Sequence, residues 1–177
     1  MEHDFMEPIL PPNNEQHSSP PIAGASKLLV CVDTSAEAKA ALTLTALKAK
    51  RRGDVLEMLH VMEPVADVQS LFSVVDRVRE ERRAEGEALL QELAQWCQDT
   101  AGITPSLQLK EGRVGEVILS TVLEDPDVNL LILGAAHSSD GRGKLLGWLA
   151  AQLGDKLLVP LMLVPGNLTE QQINALV

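Results

Sequence analysis

Lys27-Leu28-Leu29-Val30-Cys31-Val32-Asp33-Thr34-Ser35 is the stretch on which the fold turns. The unbroken apolar run from Leu28 to Val32 suits a strand buried on both faces, the kind found in parallel sheets covered by helices. The run ends on Asp33, and Thr34 followed three residues later by Glu37 forms a capping-box pattern for a helix start. An Ala-rich segment then places Ala38, Ala41, Leu42, Thr45 and Ala49 on one helical face. It stops at Lys50-Arg51-Arg52-Gly53, where cations and a glycine suit a helix C-terminus.

Working downstream, the same alternation repeats. Val55 to Val61 reads as a second strand, and after Pro64 a long helix carries Val75, Val78, Leu89, Leu90, Leu93 and Cys97 at helical spacing. Nine of the twelve residues from Asp76 to Glu87 are charged with mixed signs, which marks a solvated helix face. Ser106 to Lys110 alternates polar and apolar residues, as an edge strand with one wet face does. Val114, Val117, Ile118, Thr121 and Val122 stripe a third helix, and Leu130 to Leu133 forms a fourth strand. A fourth helix follows with Leu146, Leu149, Leu153 and Leu157 inward, then a fifth strand at Leu161 to Val164. Strands alternating with helices over short turns predict an α/β fold in three layers, a parallel sheet with helices on both faces. In such sheets ligands bind outside the carboxyl ends of the strands where strand order reverses, so the loops after the first and fourth strands are the candidate site.

Upstream of Lys27 the character is different. Residues 1–26 hold five prolines, four acids and neither Lys nor Arg, and lack a periodic apolar pattern, so they are expected to form a disordered leader. The domain spans 27–166, and 167–177 form a C-terminal extension in which Thr169 and Gln172 suit a capping box for a short helix. The formal net charge of −10 argues against attraction to nucleic acid or to anionic lipid. The two cysteines, Cys31 and Cys97, lack metal-ligand spacing and read as reduced, buried thiols. The longest uncharged runs fall short of the ~18 residues that cross a bilayer, and the leader lacks the basic start of a secretory signal. These features predict a cytoplasmic protein with neither membrane nor nucleic-acid partners and no metal.

Several motifs invite chemistry and lose it on spacing. Gly141-Arg142-Gly143-Lys144 suggests a phosphate loop, but Ser138 stands where the first glycine belongs and Leu145 where a hydroxyl residue does. His137-Ser138-Ser139-Asp140 gathers triad residue types side by side, where a nucleophile and its base seldom converge. Glu124, Asp125 and Asp127 flank Pro126 as a polar turn, and His60 reads as a packed or hydrogen-bonded strand residue. Asp33 stands out, because an aspartate at the end of a buried first strand holds either a ligand's polar edge or the N-terminus of the following helix.

On these residues the chain resembles the universal stress protein (UspA) family. The family's first-strand signature stands here as Val32-Asp33-Thr34-Ser35, its second-strand ending as Leu59-His60-Val61-Met62-Glu63-Pro64, and its third-strand glycine as Gly112. Its Gly-x2-Gly-x9-Gly-Ser/Thr segment keeps its spacing as Gly134, His137, Gly147 and Trp148, and its closing strand as Pro160-Leu161-Met162-Leu163-Val164. The resemblance implies a five-stranded sheet in the order 3-2-1-4-5, usually in a homodimer. It further implies that, in members that bind ATP or AMP, the first-strand aspartate faces the adenine side while the glycine segment holds ribose and phosphates.

Carried over residue by residue, the nucleotide-binding positions are Asp33, Gly112, Gly134, His137, Gly147 and Trp148. His137 replaces a glycine and Trp148 a hydroxyl residue, so ATP or AMP binding is expected to be weak or absent. The expectation is a non-enzymatic stress protein with a regulatory or protein-interaction role, the alternative being an ATP- or AMP-binding stress sensor. The uncharged fifth strand predicts a homodimer through that edge, unless the C-terminal extension folds back to cover it.

Overall fold

The computed structural model describes residues 26–64, 72–135, 142–152 and 155–177 and, within them, all side chains except those of 72–74 and 142–144. Residues 1–25 of the leader therefore lie outside the described residues, as does the inward position expected of Leu153, while the Ser26 N–H donates to Asp54 Oδ1 at 3.1 Å. The order of elements is β1 (Lys27–Cys31), α1 (Ala36–Arg52), β2 (Val55–Met62), α2 (Phe72–Ala101), β3 (Ser106–Glu111), α3 (Val114–Glu124), β4 (Val128–Ala135), α4 (Arg142–Gln152), β5 (Leu161–Pro165) and α5 (Glu170–Leu176). The strands form one sheet in the order β3-β2-β1-β4-β5, every pair parallel, as expected.

Strand period two divides the core between the two faces of this sheet. Leu28, Val30 and Val32 join Leu56, Met58 and Ile132 under α1, α2 and α5. Leu29, Leu59, Leu131 and Leu133 pack instead under Ile118 and Val122 of α3 and Leu149 of α4. The apolar stripe expected of α1 is buried in full, and Leu90, Leu93 and Cys97 of α2 are buried while its charged face is exposed. Leu157 is buried, but beyond the end of α4, which stops at Gln152 and does not reach it.

The entry to α1 differs by one residue from the capping box expected at Thr34. Asp33 Oδ1 accepts the Ser35 N–H at 2.8 Å, turning the chain so that Ser35 becomes the N-cap and its Oγ accepts from the Ala38 N–H at 3.1 Å. At the far end Gly53 adopts φ +73° and its N–H returns to the Ala49 carbonyl, a left-handed cap that glycine takes without a Cβ clash.

The first turn of α1 presses on the carboxyl ends of β4 and β5. A Cβ at Gly134 would stand 2.5 Å from the carbonyl carbon of Glu37 and 2.7 Å from the Ala38 nitrogen, and one at Gly166 would meet the Glu37 side chain. These glycines let a helix backbone and a sheet approach closer than any side chain allows.

At the opposite end of the sheet the start of β1 is anchored by charge. Lys27 Nζ donates to Asp125 Oδ2 at 2.5 Å and lies 3.5 Å from Oε2 of the buried Glu57, whose other oxygen accepts a short hydrogen bond from Gln108 Nε2. The hydrogen bond from Lys27 holds the Asp125 carboxyl below its ordinary range, and the same bond pushes Lys27 up.

The C-terminal extension forms the expected helix, with Thr169 and Gln172 bonding reciprocally as a capping box. Ile173 packs into the α1 side of the core, in the same cluster as Val164 and Met162 of β5, and Lys48 Nζ donates to the Leu176 carbonyl at 2.5 Å, so α5 lies along α1. Leu163, on the other face of β5, stays 45% exposed.

Two predictions follow from the glycines and the ion cluster. Gly134→Ala should destabilise the fold by about 1–3 kcal/mol through forced overpacking, whereas Gly147→Ala, with open space around its Cβ inside α4, should stabilise it by about 0.5–1 kcal/mol; urea denaturation reads both. Because Asp125 has a lowered folded pKa, its contribution is present above the ordinary value of 3.8 and is lost as pH falls through the folded value. Lys27 is raised, so its share persists until pH climbs past 10.5. Urea midpoints of the wild type should therefore fall more steeply below about pH 4 than those of Asp125→Asn.

Candidate functional site

At the carboxyl ends of β1, β2 and β4, where strand order reverses, the described residues enclose a cleft of about 160 Å³. Cys31 and Leu59 form part of its floor, Asp33 and Ser35 one lip, His60 another, and Gly134 the side where α1 presses on β4. Val114 and Ile118 of α3 and Leu145 and Leu146 of α4 close it from the opposite layer. Among the described lining residues Asp33 is the one Asp or Glu, and none is Lys or Arg.

The polar groups of this cleft already hold backbone. Asp33 accepts from Ser35, as described above. His60 Nδ1 lies 2.8 Å from the Val32 carbonyl, which can only accept, so the ring donates there and its Nε2 is left as the acceptor of the neutral form. This is the hydrogen-bonded strand histidine expected from the sequence, now at the rim of the site. On the α2 side Asp33 and His60 also border a second hollow of about 360 Å³ with Arg82, whose Nη1 donates to the Glu63 carbonyl at 3.3 Å.

Cys31 corrects the expectation that both thiols are buried: Cys97 is, but Cys31 is half-buried and faces the cleft. Desolvation, reinforced by the Asp33 carboxylate, pushes the Cys31 thiol well above its ordinary range, which favours the thiol over the thiolate.

The structure brings together Asp33 and Gly134 of the six binding positions. Gly112 lies at the turn from β3 into α3, at φ +151°, with its N–H donating to the Met62 carbonyl at 2.9 Å; a Cβ there would stand 2.7 Å from Val117 Cγ2. Gly147 and Trp148 stand inside α4, away from the described lining. Trp148 neither enters the cleft nor the core: its ring lies on Gly115 in the first turn of α3, where an added Cβ would be 2.7 Å from Cε3, and it is 38% exposed. His137 lies outside the described residues. Ser35, Cys31 and His60 line the cleft without having been taken as site residues. Their signal was the parity of β1 and β2, which sends Cys31 to the α3 face and sets His60 against the end of β1.

Among the described residues no helix is long and apolar enough to cross a membrane, and no three His, Cys, Asp or Glu side chains gather as a metal site.

Among curated proteins no sequence matches. Solved structures do. The chain is similar to universal stress protein UspA from Lactobacillus plantarum, at 20% identity and a TM-score of 0.67 over 80% of this chain and 99% of that one. It is similar to a universal stress protein family protein from Arabidopsis thaliana solved with AMP bound, at 22% identity and a TM-score of 0.55 over 79% and 91% of the two chains. It also resembles a universal stress protein solved in complex with cAMP, at 15% identity and a TM-score of 0.55 over 81% and 98%. These likenesses establish the fold, and the sequence profile of the universal stress protein family matches residues 24–165. With that match spanning most of the sequence, and with the sheet order and the Asp33 and Gly134 positions in place, the chain belongs to the universal stress protein family.

Proposed function

We propose that the chain is a non-catalytic regulatory protein of the cytoplasm that acts through protein contact, with a switch-point cleft that takes ATP poorly. The observation that carries this reading is the size of the cleft. The described lining leaves about 160 Å³, against roughly 300–1,000 Å³ for pockets that bury a small ligand. Its chemistry agrees: Asp33 and His60 are committed to backbone partners, and the Cys31 thiol is held neutral. Of the three, His60 alone keeps a ring nitrogen as acceptor in its neutral form, and Cys31 is held as the thiol instead of the nucleophilic thiolate.

A second reading, an AMP- or adenosine-sized sensor, is favoured by Trp148. Its ring rests on α3 and leaves the cleft open, so it does not occupy the phosphate space that its position in the sequence suggested. The Arabidopsis relative with AMP and the relative with cAMP support an adenine ligand as the class to test. Calorimetric titration separates the two readings: ATP and AMP should both bind more weakly than about 0.1 mM. Low-micromolar AMP affinity would establish the sensor, and low-micromolar ATP affinity would overturn both readings.

We further propose a homodimer joined through β5. That strand is the edge of the sheet, carries no charge, and exposes Leu163 at 45%. Leu158, just before it, is 73% exposed, and α5 lies on α1 instead of covering either. Pairing of two β5 strands about a two-fold axis satisfies both edges at once. Sedimentation at micromolar concentration should give a dimer, and Leu163→Lys should give a folded monomer; a monomeric wild type refutes the proposal.

A further inference from the structure

A groove of about 600 Å³ lies over the outer face of α1 between α2 and α5, within the roughly 300–1,000 Å³ that pockets for small ligands occupy. Its described lining shares no residue with that of the switch-point cleft. Ala36, Ala40 and Leu47 of α1 form the floor, with Trp96 of α2 on one side and Leu168, ahead of α5, on the other. Trp96 is 37% exposed yet held in place: its Nε1–H donates to Thr43 Oγ1 at 3.1 Å, and Lys39 Nζ stands 3.8 Å from the ring centroid. An indole already fixed loses little rotamer freedom when an apolar chain lies against it.

Charge is confined to one end of this groove. Gly166 lies against Glu37, and the Leu176 carbonyl accepts from Lys48, so α5 runs beside α1 in the same direction. Lys39 and Glu170 stand in the first turns of these two helices and are the charged residues of the described lining. From Lys39 the floor rises about 12 Å to Leu47, at 1.5 Å per residue, and meets no further charge among the described lining. A ligand that matches carries a charged head with an apolar chain behind it.

The sign of the head follows from what each charge already has. The N–H groups that open α5 favour the Glu170 carboxylate. Lys39 rests against the ring of Trp96 and pairs with no carboxylate among the described residues. We propose that the groove binds a medium-chain carboxylate, with its head at Lys39 and its chain lying along α1 between Trp96 and Leu168. This site is separate from the cleft and from the β5 edge, so it stands or falls independently of the regulatory reading.

The test is titration of ¹⁵N-labelled full-length protein with sodium decanoate, read on the indole N–H signals of Trp96 and Trp148, which Trp148→Phe assigns. The Trp96 signal should move to saturation while that of Trp148 stays in place. A fully buried methylene is worth about fourfold in affinity, so octanoate, shorter by two methylenes half-buried in an open groove, should bind about fourfold more weakly. Lys39→Gln should weaken decanoate about threefold, the scale of an exposed ion pair, and leave 1-octanol unchanged. Ala40→Phe, which fills the floor from the outer face of α1, should abolish the Trp96 shift. No saturation below the micelle concentration, an equal shift at Trp148, 1-octanol binding as tightly as octanoate, or unchanged binding in Ala40→Phe would each overturn the proposal.

Discussion

The close approach of the first turn of α1 to the carboxyl ends of β4 and β5 sets the position of the cleft and of the helices around it. It exists because positions 134 and 166 are glycine, and a methyl group at either would collide with Glu37. With α1 held that low, Asp33 and Ser35 fall at the lip of the switch-point cleft, and Gly134 becomes its wall. The outward face of the same helix is then free for α2 on one flank and α5 on the other. Gly134, whose spacing matches the family's glycine segment, thus has a packing duty in this chain whatever it binds.

The two ends of the sheet handle polarity in opposite ways. At the amino ends of the strands charge is met by charge: Lys27 stands between Asp125 and the buried Glu57, so removal of the lysine would leave a carboxylate stranded in a dry layer. At the carboxyl ends the polar side chains are met by backbone, with Asp33 on an N–H and His60 on a carbonyl. The first arrangement fixes strand register, and the second shapes loops.

Much of this was legible in the sequence. Unbroken apolar runs announced β1, β4 and β5, and the alternation of Ser106 to Lys110 announced the edge strand β3. Asp33 and Gly134 were legible too, standing at the ends of such runs. The helix cap was misplaced by one residue because Thr34 and Ser35 are both good caps, and the choice is made by the Asp33 turn, which spacing does not reveal. Trp148 was legible as an intrusion but not in its direction. Gly115, 33 positions away in the chain, offers the flat surface that takes its ring, and only the pairing of α3 with α4 brings them together. The seat of α5 was hidden likewise, since a one-turn apolar face names no partner.

Cys97 gives the fold a built-in reporter of its own breathing. Its side chain is fully buried on the inner face of α2, and desolvation pushes its thiol up to about 11. At pH 7 only about one thiol in ten thousand would ionise while α2 lies on the sheet. Alkylation of Cys97 must therefore wait for the helix to lift away, and its rate counts those openings without any engineered label. Cys31, half-buried at the floor of the cleft on the other face, is reached without such an opening and gives the contrasting case. Comparing the two thiols separates the lifting of α2 from ordinary access through the cleft in a single unmodified chain.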